Sequence, residues 1–507
     1  MWDADATLIR DLRLELRGEV WEQEERRAAY STDESIFSIF PLAVVLPADE
    51  EDVRALLQIA SRHGVPLTAR GGGSSTAGQA IGPGLVVDFS RHFNRILSIS
   101  ENSAVVQPGV VLEDLNRELA GAGRRFAPDP SSRAYCTLGG MVANNASGPH
   151  AYKFGATRNH VRRLRLVLAD GRIAESTEVG SFFPSIIRSI VAARNRIESR
   201  IPKTRKNASG YHVSTLIPPM TDLTPLLVGS EGTLALTTEI ELATVPLPEK
   251  CNTAVFSFDS LSVAVAAAEP LRSSRPAAIE LVDRYILKAM QTGDAGFIDS
   301  LGLTTAQASL WVEWEGEIPS VLRKEAAALL ENSDVQKHLW ALRSDASKIL
   351  HAQPGARRPL RCVEDGVVPT DRLGTYVTEL REILRRHDCD GAIFGHAGDG
   401  NIHVNPNVDV GKPRLPARIE SLMNDVYDLI FRLEGSISGE HGDGLLRKNY
   451  MARQWGDLLP LFREIKAAFD PRGILNPDKK LPDGEFRIPG FRELSREAAP
   501  ICLVRQS

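Results

Sequence analysis

The stretch Ala43-Val44-Val45-Leu46, followed by Asp49-Glu50-Glu51-Asp52-Val53, then Gly64-Val65-Pro66-Leu67-Thr68-Ala69-Arg70-Gly71-Gly72-Gly73-Ser74-Ser75, decides how this chain folds. Four apolar residues at 43–46 read as a short buried strand, and the acidic run at 49–52 falls where a helix N-terminus favours negative charge. Val53, Leu56, Leu57 and Ala60 recur at i, i+3, i+4 and i+7, one face of a helix. Gly64 ends that helix, and residues 65–69 predict a second strand that runs into the glycines. Outward from this unit, residues 85–89, 104–107, 164–168 and 239–242 predict strands and 112–120 a helix, so the first half is mixed α and β. Residues 244–251, with Pro246 and Pro248, mark a boundary, after which 254–258 and 310–314 predict strands of a second unit.

With 507 residues, 43% apolar and 25% charged, the chain has material for about three domains. Sixty basic against 65 acidic residues give a net charge of −5, an ordinary balance that argues against a general nucleic-acid binder. The most apolar stretches, such as 261–268 and 349–352, are too short to span a bilayer. Asp3, Asp5, Arg10, Asp11 and Arg13 stand where an export signal would be basic and then apolar, so the expected address is cytoplasmic, with a peripheral position at the inner face of a membrane compatible with it. Cys136, Cys251, Cys362, Cys389 and Cys502 are scattered singly, which predicts reduced thiols and neither a disulfide framework nor an iron-sulfur cluster. No internal repeat is seen, and the tail beyond Pro482 shows no periodicity.

Three consecutive glycines let backbone N–H groups turn towards a phosphate. The loop fits neither common phosphate motif. In the dinucleotide fingerprint the third glycine would fall at Thr76, and in the ATP loop the residues after Gly78 should be Lys and Ser or Thr, where Gln79 and Ala80 stand. Further glycine clusters at Leu138-Gly139-Gly140-Met141-Val142-Ala143-Asn144-Asn145, Ser147-Gly148, Gly155 and Val228-Gly229-Ser230-Glu231-Gly232-Thr233-Leu234 expose backbone where a flat or phosphorylated ligand could lie.

Together these segments resemble the vanillyl-alcohol-oxidase or PCMH type of FAD-binding proteins, in the branch of D-2-hydroxy-acid dehydrogenases acting on D-lactate, glycolate or D-2-hydroxyglutarate. The likeness runs from Tyr30-Ser31-Thr32-Asp33-Glu34-Ser35 to Ile474-Leu475-Asn476-Pro477. It implies an α+β fold: an N-terminal helical segment (1–35), a two-part PCMH-type FAD-binding domain (36–248), and an α+β cap domain with an antiparallel sheet and a metal site (249–450). A segment returning to the FAD domain (451–480) and a peripheral tail (481–507) would follow. It also implies that Arg70, Gly71, Gly72, Gly73, Ser74, Ser75, Gly78, Gln79, Gly139, Gly140, Asn144, Ser147, Gly148, Gly155, Glu231, Gly232 and Asn476 hold FAD. Some relatives tether the flavin through a histidine in the first loop. Here that loop holds only glycines and serines, which implies non-covalent FAD.

Phe394-Gly395-His396-Ala397-Gly398-Asp399-Gly400-Asn401-Ile402-His403-Val404-Asn405 is the second informative stretch, because Asp-Gly is a strong two-residue hairpin turn. A turn at Asp399-Gly400 would set His396 directly opposite His403, close enough to share an ion, with Asn405 on the same face. Ser438-Gly439-Glu440-His441-Gly442-Asp443-Gly444 offers Glu440 as a third ligand, and two His with one carboxylate leave positions open for substrate. The resemblance puts His396, His403 and Glu440 on a divalent metal, for which zinc, manganese and iron all suit, and makes His441 the base.

A metal gripping the hydroxyl and carboxylate of a 2-hydroxy acid would stabilise the alkoxide, and His441, at an ordinary imidazole pKa near 6.5, would take the proton. The C2 hydrogen would pass as hydride to the flavin, giving the 2-oxo acid. Arg343 matches the family's substrate-carboxylate arginine, with Ser347 one helical turn on and Asn405 also on substrate. Arg357, Arg358 and Arg361 could read a second carboxylate, Glu364 and Asp365 could pair with those arginines, and His150, His160 and His212 read as structural. Asp443 adds negative charge near the metal.

The chain ends at Ser507 without the cysteines of an iron-sulfur domain, so a separate acceptor is expected: an iron-sulfur subunit, an electron-transferring flavoprotein, a quinone or a cytochrome. A homodimer is compatible with this reading. The alternatives are a metal-independent flavin oxidase of another alcohol and a flavin subunit that only docks into an electron-transfer complex.

Overall fold

The computed structural model describes residues 6–216, 220–352 and 357–482. Residues 483–507 of the tail, with Cys502, lie outside them. The first strand, helix and strand form as the periodicity requires. Ala43–Leu46, Leu85–Asp88 and Leu67–Arg70 run parallel, with Glu19–Trp21 antiparallel on the outer edge. Asp49 caps the helix Glu50–His63 by accepting from the Asp52 amide at 3.1 Å, and Gly64 closes it in the left-handed conformation at φ 63°. Val53, Leu56, Leu57 and Ala60 are fully buried against this sheet.

A second, antiparallel sheet follows in the order Ile96–Ile99, Ser103–Val106, Ala235–Ala243, Val161–Leu168, Ile173–Glu175. The larger sheet of the second half is also antiparallel. Its order is Ala328–Leu330, Cys251–Phe258, Ala308–Glu315, Ala278–Asp283, Asp390–His396, Asn401–Asp409, Arg357–Pro359. Side chains alternate between its faces, as pleating dictates. Ala254, Phe256, Leu281, Leu310, Val312 and Ile393 pack with the helices Leu261–Arg272 and Leu373–Arg386, whereas Val255, Val282, Trp311, Ala392 and Phe394 pack with Arg284–Ser300. The helix Ser333–Ala352 lies against this second layer. Beyond Leu459–Phe469 the chain returns to the first sheet, where Leu475 bridges Leu67 and Lys466 Nζ donates to the Leu475 and Thr233 carbonyls.

The histidine hairpin departs from the expected register. His396 pairs with Asn401 and Phe394 with His403, so the connection is the four residues 397–400 and not a two-residue turn. Tertiary contacts explain the longer loop: the Gly398 amide donates to the Ile279 carbonyl and the Val368 amide to the Gly400 carbonyl. A register difference of two keeps every side chain on its face, so both histidines still project to the same side, on a diagonal.

Candidate active site

A cavity of about 580 Å³ opens between the two halves. Its first wall is backbone. Gly71, Gly72, Gly73, Ser74, Ser75, Gln79, Gly140, Asn144, Ser147, Gly148, Glu231 and Gly232 all line it. Gly71 and Gly72 are glycines because the loop abuts the next one: a Cβ there would come within 2.0 Å of Thr137 Oγ1 and 2.1 Å of the Tyr135 carbonyl. The amides of residues 71–75 donate to no described residue. A run of backbone donors left for a ligand at a cavity wall suits the phosphates of a dinucleotide.

Five residues expected at the cofactor do not line the cavity. Arg70 braces the loop from behind, donating to the Thr32 and Ala80 carbonyls beneath Gly73. Gly78 is wedged between Phe37 and Leu445, Gly139 against Pro108, and Gly155 ends a short helix beside Asn159. Asn476 Nδ2 donates to the Gln79 and Glu231 carbonyls, tying two loops together from outside.

At the far end of the cavity three donor atoms converge. His396 Nε2 is 3.1 Å from Glu440 Oε1, His403 Nε2 is 3.2 Å from the same oxygen, and the two Nε2 atoms are 3.2 Å apart. That near-equilateral triangle matches the edge of a tetrahedron with ligands at about 2.0–2.1 Å, so the donor set fits a divalent metal. The outer nitrogens are tied as metal-bound histidines require: His396 Nδ1 is 2.5 Å from Glu280 Oε1, and His403 Nδ1 is 2.8 Å from the Glu364 carbonyl. Burial disfavours the Glu280 charge, but His396 and Arg343 overcome it and hold this carboxyl at about 2.

Lys206 gave no sequence signal, and Ser147 and Asp365 were expected in other roles. Lys206 is buried with Nζ 3.0 Å from Glu440 Oε2 and 3.7 Å from Asp399 Oδ2. Ser147, expected at the cofactor, turns its hydroxyl onto Glu440 Oε2 while still lining the cavity. Asp365 accepts from the Glu440 and His441 amides at 3.1 and 2.8 Å and from Ser438 Oγ at 2.6 Å, which fixes the segment carrying both functional side chains.

His441 stacks on His403 with ring centroids 5.0 Å apart, and its Nδ1 is bonded to Glu364. Arg447 Nη2 braces the other oxygen of Glu364 at 2.6 Å. Burial opposes a charge on His441, yet Glu364 and Asp365 push its pKa up to about 9. Glu364 and Asp365 therefore serve His441 and its loop, while Arg361 pairs with Glu34 and also feels the Glu364 charge.

Arg343 is buried on the cavity wall, but Nε and Nη2 contact Glu280 Oε2 at 2.9 and 2.7 Å. Asn405 lines the cavity beside His403. Ser347 lies on the Ser333–Ala352 helix, but its side chain is outside the described residues. Arg357 pairs with Asp388 on the surface, away from the cavity. Asp443, expected to load charge onto the metal, points elsewhere: its carboxylate is 2.9 Å from Lys480 Nζ and accepts from the Gly210 amide. His160 Nε2 donates to the Phe154 carbonyl and His212 contacts Thr215, both structural roles, whereas His150 lines the cavity. Among the described residues the cysteines are free, and no helix is long and apolar enough to cross a membrane.

Residues 41–177 match the family described as FAD binding domain, and residues 247–480 the family described as FAD linked oxidases, C-terminal domain. D-2-hydroxyglutarate dehydrogenase of Escherichia coli (strain K12) is 31% identical over 90% of this chain and 50% of that protein, so the chain spans about half the length of this relative. Glycolate oxidase subunit GlcD of Bacillus subtilis (strain 168) is 30% identical, over 89% of this chain and 92% of that one. The crystal structure of p-cresol methylhydroxylase with substrate bound superposes with a TM-score of 0.68 at 14% identity, covering 95% of this chain and 98% of that one, which shows the fold. A glycine-walled cavity with free backbone donors, a two-part flavin fold and an antiparallel second unit thus come together in one chain, and the chain belongs to the FAD-linked oxidase family, with an FAD binding domain followed by the FAD linked oxidase C-terminal domain.

Proposed function

We propose that this chain is a metal-assisted, FAD-dependent dehydrogenase that oxidises a D-2-hydroxy acid of the D-lactate, glycolate or D-2-hydroxyglutarate class to the 2-oxo acid and hands the electrons to a separate acceptor. The observation that carries this reading is the triangle of His396, His403 and Glu440 donors with His441 against it, at the end of the glycine-walled cavity. The names of relatives, D-2-hydroxyglutarate dehydrogenase, D-lactate dehydrogenase and glycolate oxidase subunit GlcD, support this substrate class, and the first two support its D hand.

Residues 71–75, Gly140, Asn144, Gly148 and Gly232 hold FAD without a covalent bond, and the bound flavin supplies the two-electron acceptor. A divalent ion on His396, His403 and Glu440, with zinc, manganese and iron all suited to the set, supplies stabilisation of an alkoxide and favours the neutral form of the adjacent His441. Glu280 and the Glu364 carbonyl hold each ligand ring by Nδ1, so that Nε2 faces inward. Arg343, whose Nε and Nη2 are engaged by Glu280, receives the substrate carboxylate through Nη1, with Asn405 beside it. His441 takes the hydroxyl proton at Nε2, because Nδ1 is committed to Glu364.

Purified, FAD-loaded protein is mixed without oxygen with D- and L-2-hydroxy acids, before and after chelation, while bleaching of the oxidised flavin is followed. The expected result is bleaching by a D-acid that chelation abolishes and added metal restores. Bleaching indifferent to verified metal removal overturns the metal's role, and no bleaching by any acid overturns the dehydrogenase.

A further inference from the structure

His150 has both ring nitrogens on carboxylates: Nδ1 is 2.6 Å from Asp129 Oδ2 and Nε2 is 2.8 Å from Glu313 Oε1. Asp129 belongs to the flavin half of the chain. Glu313 lies near the end of the Ala308–Glu315 strand of the other half. The second oxygen of Glu313 accepts from Trp340 Nε1 at 2.8 Å, and Trp340 precedes Arg343 by three residues on the Ser333–Ala352 helix, so the two share a helical face. His150, Glu313, Trp340 and Arg343 all line the cavity.

Hydrogen-bond inventory settles the charge of this ring. An ionised carboxylate only accepts, and a neutral imidazole has one N–H, so two carboxylate partners are both satisfied only by the imidazolium. The charged neighbours are consistent with this. Arg125 and Lys153, on the flavin side, both pair with Glu315; Glu313 and Glu315 face them from the sheet, the Cys251 thiol sits beside Glu313, and the helix contributes the Trp340 ring 5.6 Å from His150. Burial opposes the charge on His150, and Asp129 and Glu313 override it, so its pKa stands well above the ordinary value.

We propose that His150 is a positioning residue through which the flavin half of the chain fixes the Arg343 helix across the cavity, by way of Glu313 and Trp340, and so sets where the substrate carboxylate is received. The inference rests on the hydroxy-acid reading only for the identity of the ligand. Loss of the ring proton puts a lone pair against a carboxylate. The contact is relieved by displacing Glu313, and Trp340 moves with it.

The test compares FAD- and metal-loaded wild type with His150→Gln, Glu313→Gln and the double variant. KM and kcat are measured from about pH 6 to about pH 10, across the range where this histidine is displaced from its ordinary titration, and amide hydrogen exchange of residues 334–343 is measured without substrate. Each single variant is expected to raise KM by roughly 5- to 50-fold with kcat within about threefold, because an interaction that places the ground state has been lost. Exchange in 334–343 is expected to rise, the double variant to be no worse than the more affected single one, and the rise of KM at high pH expected of wild type to be absent from the variants. Additive effects, unchanged exchange, or equal falls in kcat and kcat/KM overturn the proposal. Should His150→Gln fail to fold, Glu313→Gln, which keeps the side chain's size, decides alone. If wild type is reduced by no hydroxy acid, the proposed function falls and the exchange measurement still decides the role of His150.

Discussion

Glu280 joins Arg343 to His396: one carboxylate oxygen meets Arg343 Nη2 at 2.7 Å and the other meets His396 Nδ1 at 2.5 Å. The residue proposed to receive the substrate carboxylate and a proposed metal ligand are thus held by a single fully buried side chain from the Ala278–Asp283 strand. Glu280→Gln removes the charge that fixes the His396 tautomer. Metal affinity is expected to fall about 10- to 100-fold, the usual cost of losing such an outer partner, as measured by chelator competition with the flavin content unchanged. Unaltered metal affinity would show that His396 needs no orienting carboxylate.

His441→Asn keeps a polar side chain of similar reach but removes the proton acceptor. Anaerobic flavin reduction by the preferred acid is expected to slow about 10²- to 10⁴-fold, the range associated with a positioned general base. FAD and metal content should match wild type, since neither is held by this ring. A variant that reduces its flavin at the wild-type rate would remove His441 from the mechanism.

The pH dependence of stability follows from His150. Its folded pKa is raised above the unfolded value by Asp129 and Glu313 against the opposing effect of burial. A raised histidine pKa means the folded state binds the extra proton, so this contribution is fully present below about pH 6.5 and is lost as pH rises through the folded pKa. Thermal unfolding of wild type and His150→Gln should therefore differ most at acid to neutral pH and converge as the medium becomes alkaline. A difference that grows with pH would contradict the imidazolium assignment.

Lys480 is fully buried between Glu231, at 3.1 Å, and Asp443, at 2.9 Å. Glu231 also accepts from the Asp443 and Gly444 amides at 2.7 and 2.9 Å, which fastens the segment after His441 to the flavin half. Lys480→Met leaves two carboxylates facing one another without a cation. Denaturant unfolding is expected to show a loss of about 3–5 kcal/mol, the cost of breaking a buried pair from one side. A loss below about 1 kcal/mol, the level of exposed pairs, would mean the carboxylates take up protons or water with ease.

The sequence by itself determined what local rules can reach. Periodicity gave the helix after Asp49 and the strands on either side, and loops too crowded for a side chain announced themselves as glycines. The motifs around His396, His403 and Glu440 were legible because alternation along a strand fixes which residues share a face, and that survived a register two residues from the expected one. The tertiary structure alone decided the partners. Glu280 and His396 are 116 residues apart, Lys206 and Glu440 are 234, and His150 and Glu313 are 163, so nothing in the local pattern connects them. A sequence shows that a charge exists; which opposite charge it meets is set by how sheets and helices pack, because a buried ion is tolerated only where a distant segment brings its counterpart. That is why Glu364 met His441 and the distant Arg447, why Asp443 turned to Lys480, and why His150 became part of the cavity wall.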